Sequence, residues 1–189
     1  MGSHQVRTHK SLSIGGAALD YVNMALGWDP VRRRRWFGTR TKDIDLNAAA
    51  LLFTDDHMVD VVYHEQLGSA DGAVRHLGDS TTGEGKGDNE IITVDLTRLT
   101  PEVTTVFFIV TSYTGQTFEQ IENAFCRVVD GVSGTEIARY DLTGGGPHTG
   151  LIMGKLFRSQ GSWQFDAIGE GIWARHPVEA VSQLTTFVA

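Results

Sequence analysis

Short apolar runs bounded by glycine, proline, aspartate or serine recur along the chain and predict strands far more often than helices. ALDYVNMAL (Ala18 to Leu26) is the first, closed by the breaker GWDP and followed by a basic loop, VRRRRWFGTRTK. LNAAALLFT and MVDVVYHE flank DDH as a tight hairpin. In IITVDL, Ile92, Val94 and Leu96 fall on one face and Ile91, Thr93 and Asp95 on the other, which predicts the first set as the buried face. TTVFFIVTSY (Thr104 to Tyr113) is apolar through its middle, the pattern of a central strand covered on both sides. NAFCRVVD and TEIARYDL flank GVSG as a second hairpin. GLIMGKLFR and SWQFDAIG flank SQG as a third, with Trp163, Phe165 and Ala167 alternating against Gln164 and Asp166.

Two segments read as helical. GQTFEQIENAF can form a short turn with Thr117 as N-cap and Gln120 at the capping-box spacing. In the tail PVEAVSQLTTFV, the residues Val178, Val181, Leu184 and Phe187 recur every third position, which predicts a helix laying that stripe on its own domain; docking on a partner is the alternative. Many short strands, hairpin connections and little helical periodicity predict an all-β fold, a β-sandwich of two mainly antiparallel sheets with one or two short helices. The expected organisation is a tag-like or disordered start over residues 1–10, a sandwich over 11–175 and a helical tail over 176–189.

At 189 residues and 41% hydrophobic content the chain can bury a full core. A formal net charge of −7 makes cations more natural partners than nucleic acid. No apolar run is long enough to span a bilayer, and the single cysteine, Cys126, sits in an apolar run and reads as a small buried hydrophobe in a reducing compartment. These features predict a cytoplasmic protein.

The segment GDSTTGEGKGDNE (Gly78 to Glu90) concentrates carboxylates and glycines around Lys86. It lacks the P-loop glycine and hydroxyl positions, and it lacks the third glycine of a dinucleotide fingerprint at the required spacing. GxSxG and HExxH are also absent from the sequence. His57, His64 and His76 lie on or near adjacent strands but read as surface or strand-edge residues. What remains is calcium, which takes six to eight oxygen ligands, many of them carboxylates and glycine-exposed carbonyls. Counting Asp79 as position 1 puts Glu90 at position 12, the spacing of the outer EF-hand ligands, yet Glu84 occupies the position of the invariant glycine and the flanks are strands. An EF-hand is therefore excluded. In KDIDLN, Asp43, Asp45 and Asn47 alternate along an extended segment and point to one side. Neighbouring carboxylates raise each other's pKa unless a cation neutralises them. With Asp29 in LGWDP, one end of the sandwich would hold enough oxygens for one Ca²⁺ or two.

The chain resembles the TerD family of bacterial tellurium-resistance and stress-response proteins from about Leu12 to Trp173. The resemblance is carried by LGWD (Leu26 to Asp29), DIDLNAAALLF (Asp43 to Phe53), YHEQLGSADGAVRHLGDSTTGEGKGDNE (Tyr63 to Glu90), NAFCRVVD, GTEIARYDL and GKLFR with WQFDAIGEG. It implies a calcium-binding β-sandwich without established enzymatic activity, partnered by other Ter-type proteins at the membrane and placed in the cytoplasm or at the inner membrane face. It also implies the ligands Asp29, Asp43, Asp45, Asp79, Glu84, Asp88 and Glu90, with Asn89 as a secondary one. Ser80 and Asn89 stand where the family usually reads GDN and GDDE, so one site loses a carboxylate. Arg32 to Arg35 replace a commonly glycine-rich or acidic stretch, and attraction of this loop to an anionic membrane or partner is the alternative role. The segment around TSYTGQTF is shorter and less charged than in relatives, and the tail lacks their small glycine-alanine end.

Overall fold

The structure, a computed structural model, describes residues 7–9, 18–29, 44–78, 83 and 87–188. Its strands are β1 (Arg7–His9), β2 (Tyr21–Gly27), β3 (Leu46–Thr54), β4 (His57–Val62), β5 (Val74–His76), β6 (Glu90–Asp95), β7 (Thr105–Ser112), β8 (Phe125–Asp130), β9 (Glu136–Asp141), β10 (Gly150–Ser159) and β11 (Ser162–Ile172), followed by the helix α1 (Pro177–Leu184). They form a six-stranded sheet, ordered β1-β9-β8-β2-β6-β5, and a five-stranded sheet, ordered β11-β10-β7-β3-β4. Every ladder is antiparallel. The sandwich read from the sequence is what the chain forms.

The three predicted hairpins close as expected. Thr54 pairs His57 around Asp55 and Asp56, and Asp130 donates its N–H to the Thr135 carbonyl across the β8–β9 turn. Ser159 pairs Ser162 around Gln160 and Gly161, whose φ angles of 50° and 80° are both positive, as a two-residue turn matched to strand twist requires. Residues 7–9, placed by the sequence in a tag-like or disordered start, instead form β1 on the edge beside β9.

Alternation decides the core. Val22, Met24 and Leu26 of β2 and Ile92 and Val94 of β6 point inward against Ala48, Ala50, Leu52, Val106, Phe108 and Val110 of the other sheet. The intervening residues of β3 and β7, Ala49, Leu51, Phe53, Phe107 and Ile109, form a second buried cluster on the far face of the five-stranded sheet, covered by Ala180 and Leu184 of α1. All eight positions of β7 are consequently buried, which explains its unbroken apolar run. The tail thus packs on its own domain. Its stripe differs from the expected one: Pro177, Ala180 and Leu184 are buried, Val181 and Phe187 are partly covered, and Val178 is 55% exposed. The other expected helix is a single 3₁₀ turn at Phe118–Gln120, where the Thr117 N–H donates to the Gln120 side chain at 3.0 Å.

Candidate metal centre

The described residues of the acidic motifs, Asp29, Ile44 and Asp45, and Gly87 to Glu90, lie at the end of the sandwich where β2 finishes and β3 and β6 begin. Trp28, only 2% exposed, ties them together. Its backbone N–H donates to Asn89 Oδ1 at 2.8 Å, and its indole Nε1 donates to the Ile44 carbonyl at 3.1 Å. Gly83, at φ 70°, lies so close that a Cβ there would stand 2.5 Å from the Trp28 indole nitrogen and 2.8 Å from its carbonyl oxygen. Gly27 serves the same end by being small: a Cβ on it would meet the Gly87 carbonyl oxygen at 2.5 Å and the Phe125 ring at 2.6 Å. Gly83 and Gly87 therefore lie directly against the end of β2. One indole and two glycines bring Ile44, Gly83 and the GDNE segment, Gly87 to Glu90, close to the end of β2.

Around this frame the expected ligands take different positions. Asp29 is exposed, and its Oδ2 accepts from Asn123 Nδ2 at 2.8 Å. Asp45 is fixed by its backbone, accepting from the Tyr113 N–H at 3.0 Å and donating to Thr114 Oγ1 at 3.1 Å. Its Oδ1 accepts from Asn47 Nδ2 at 3.3 Å, so these two side chains share a side as the alternation predicts. Asn47 is 1% exposed, and its Oδ1 has no hydrogen-bond donor. Asp88 is held by Arg127 through two bonds, Nη2 to Oδ2 at 2.7 Å and Nε to Oδ1 at 3.2 Å. Glu136 lies 3.5 Å from the same guanidinium and is itself paired with Arg139. The Asp88 hydrogen bond is the main reason the Arg127 pKa is raised, and Arg139 is the main reason that of Glu136 is lowered. Asp43, Asp79 and Glu84, like the basic loop Arg32 to Arg35, lie outside the described residues.

Glu90 points inward rather than into solvent. At 1% exposure it accepts from the Ala48 backbone N–H at 2.8 Å, a donor beyond the end of the β3–β4 ladder, which begins at the Ala50 and Val62 pair. Its Oε2 also meets His76 Nε2 at 3.2 Å, both side chains being fully buried. His76 Nδ1 accepts from the Gly78 N–H at 3.2 Å, which leaves the proton on Nε2 and makes it the donor to Glu90. His76 is thereby buried rather than on the surface, although β5 is the edge strand of its sheet, as the strand-edge reading expects. Val74 and His76 flank the exposed Arg75, so the period-2 alternation of β5 was the signal that could have found it.

Among the described residues no three His, Cys, Asp or Glu side chains are grouped to hold a metal ion. The described donors are nonetheless all oxygens, carboxylates and amides, the chemistry of a hard cation. The orphaned Asn47 oxygen fits that chemistry, because a buried amide oxygen without a donor costs about 1–3 kcal/mol and a coordinated cation relieves it. Cys126 is buried and its thiol pKa is pushed up by that burial. No helix among the described residues is long and apolar enough to cross a membrane.

The TerD domain model matches residues 7–175. A tellurium resistance protein TerZ of Serratia marcescens is 43% identical over 169 residues, covering 87% of each chain. A stress response protein of Bacillus subtilis (strain 168) is 35% identical over 173 residues, covering 85% of this chain and 87% of its own. Among solved structures, a homologue of the telluride resistance protein TerD from Streptomyces coelicolor A3(2) superposes with a TM-score of 0.74 at 25% identity, covering 88% of this chain and 98% of that one.

Proposed function

Since the chain belongs to the TerD domain family, we propose that it is a non-enzymatic stress-response protein of the tellurium-resistance type, acting as a Ca²⁺-dependent binding module. The observation that carries the reading is the buried, unpartnered Asn47 oxygen beside Asp45, on the outward face at the start of β3, one residue beyond the Ile44 carbonyl to which Trp28 is tied. Asp29, Asp45 and Asn47, with Asn89 and the carbonyls of the glycine-rich stretch, supply first ligands, while Asp43, Asp79 and Glu84 complete one site or a second. Glu90 supports the site from behind through Ala48 and His76. Bound calcium neutralises the clustered carboxylates and orders their loops, so the surface offered to a partner depends on the metal. The partners are other Ter-type proteins, and the place of action is the cytoplasm or the inner membrane face. Burial of Cys126 favours the non-enzymatic reading, since a reagent would have to enter the core to reach it.

Calorimetric titration and thermal unfolding test the proposal together. Calcium at about 100 times its Kd stabilises the native state by roughly 2.7 kcal/mol. For a chain of this size that raises Tm by about 5–11 °C over the EDTA-treated protein. Superimposable melting curves in calcium and EDTA, with no heat of binding, would overturn the reading.

A further inference from the structure

Most of the described arginine side chains are committed within the fold. Arg127 and Arg139 are paired with carboxylates, and Arg158 and Arg175 donate to backbone carbonyls. Arg75 and Arg98 differ: both are exposed, and among the described residues neither forms an ion pair. Arg75 Nε donates to the Gly72 carbonyl at 3.4 Å, which sets the side chain over the turn and leaves its terminal nitrogens uncommitted.

The two guanidiniums converge over that turn. A Cβ on Gly72 would stand 3.9 Å from Arg75 Nη2 and 3.9 Å from Arg98 Nη2, with no other described atom outside the turn within 4 Å. The two nitrogens are therefore at most about 8 Å apart, a span that one tetrahedral oxyanion bridges with charge-assisted bonds of roughly 2.7–2.9 Å at each end. The nearest carboxylates in sequence, Asp71 beside Gly72 and Asp95 shortly before Arg98, are held elsewhere by local donors. Asp71 accepts from Ser69 Oγ and the Ala73 N–H through Oδ1, and from the Thr100 N–H through Oδ2. Asp95 accepts from the Thr97 N–H and Oγ1 through Oδ1, and from the Tyr21 hydroxyl through Oδ2. Each acid closes its own turn instead of neutralising a guanidinium. The base beneath the pair is fixed, since the Gly72 N–H donates to the Ser69 carbonyl at 2.9 Å and Arg75 is paired with Thr93 in the β5–β6 ladder.

We propose that Arg75 and Arg98 form an anion site over the Ser69–Gly72 turn, for a phosphoryl group or a similar dianionic oxyanion. The planar guanidinium fork matches such oxygens, and two unneutralised arginines favour a ligand with two negative charges over a ligand with one. The net charge of −7 repels an anionic bilayer, so the group arrives on a small soluble molecule. This site lies at the opposite end of β6 from Glu90 and does not rest on the calcium reading.

The test is titration of the nitrogen-15-labelled chain with inorganic phosphate, in EDTA and at constant ionic strength set by chloride, followed by NMR. The Nε–H resonances of Arg75 and Arg98 and the Gly72 amide should move together and saturate in the millimolar range, while that of Arg139 stays still. Arg75→Gln or Arg98→Gln should weaken binding about three- to tenfold, a modest loss because both side chains are solvent-screened, and Arg139→Gln should leave it unchanged. Lowering the pH from about 8 to about 5.5 should also weaken it, because phosphate loses its second charge while arginine stays charged. Shifts that grow without saturating, or that persist unchanged in Arg75→Gln and Arg98→Gln, overturn the proposal. So does arginine-dependent binding to phosphatidylglycerol vesicles when free phosphate does not saturate. Should a variant fail to fold, the wild-type titration decides alone. With calcium excluded, failure here leaves the calcium reading to its own test.

Discussion

Replacing Gly83 by alanine should destabilise the protein far more than the same change at Gly87, and the difference measures how tightly the acidic stretch is seated on Trp28. Both glycines have left-handed backbones, with φ of 70° and 87°, so both substitutions carry a conformational cost of about 1–2 kcal/mol. Gly87 has nothing within 4 Å of its would-be Cβ, so its cost ends there. At Gly83 the new methyl would meet the Trp28 Nε1 at 2.5 Å, Cδ1 at 2.6 Å and carbonyl oxygen at 2.8 Å. The backbone oxygen cannot swing aside, and moving the indole breaks its bond to the Ile44 carbonyl. Overpacking and the lost bond together add about 2–4 kcal/mol. Gly83→Ala should therefore melt about 4–16 °C below Gly87→Ala, at about 2–4 °C per kcal/mol for a chain of this size. Thermal unfolding followed by circular dichroism, without added calcium, gives the comparison. Equal melting temperatures for the two variants would refute the seating of the stretch on Trp28.

Two further outcomes follow from other parts of the fold. Leu184→Ala removes a fully buried side chain from the contact between α1 and the five-stranded sheet; urea unfolding should show a loss of about 2–5 kcal/mol, whereas the exposed Val178→Ala should cost well under 1. Burial works against ionisation of Asp71, but hydrogen bonds from Ser69 Oγ at 2.6 Å, Ala73 N at 2.9 Å and Thr100 N at 3.2 Å outweigh it and hold the carboxyl below its ordinary value of 3.8. A depressed folded-state pKa contributes stability that is present above the unfolded value and is lost as pH falls through the folded one. Asp71→Asn should accordingly be less stable than wild type near neutral pH, with the gap narrowing once pH drops below about 4. A gap that stays constant down to pH 2 would contradict this assignment.

The legible parts of the fold were those governed by strand alternation and turn chemistry. Ile92, Val94 and Leu96 were readable as an inward face because a strand repeats every two residues, and Gln160–Gly161 was readable as a turn because it separates two apolar runs. The apolar core of β7 showed that both its faces are covered but not by what. The cover is α1, and its true contact face was misread because a strict period of three drifts by about 60° per step around a helix of 3.6 residues per turn. The stripe starts on the exposed side at Val178 and reaches the buried side only at Val181 and Leu184; the buried face runs instead through Pro177, Ala180, Val181 and Leu184. At the candidate centre the sequence showed which residues carry oxygen but not their partners. Arg127 stands 39 residues from Asp88, and Glu90 reaches Ala48 across 42, separations that no local pattern encodes.

The cover that α1 provides has a bearing on biosynthesis. When residues up to Ile172 have left the ribosome, all strands of the five-stranded sheet can pair, yet the face bearing Phe53, Phe107 and Ile109 lacks its helical cover until residues 177–184 emerge. For that interval the nascent sheet offers an aromatic surface of the kind that chaperones engage and that aggregates nucleate on. The longer residues 177–184 lag behind the strands, the longer that surface stays open to the wrong partner.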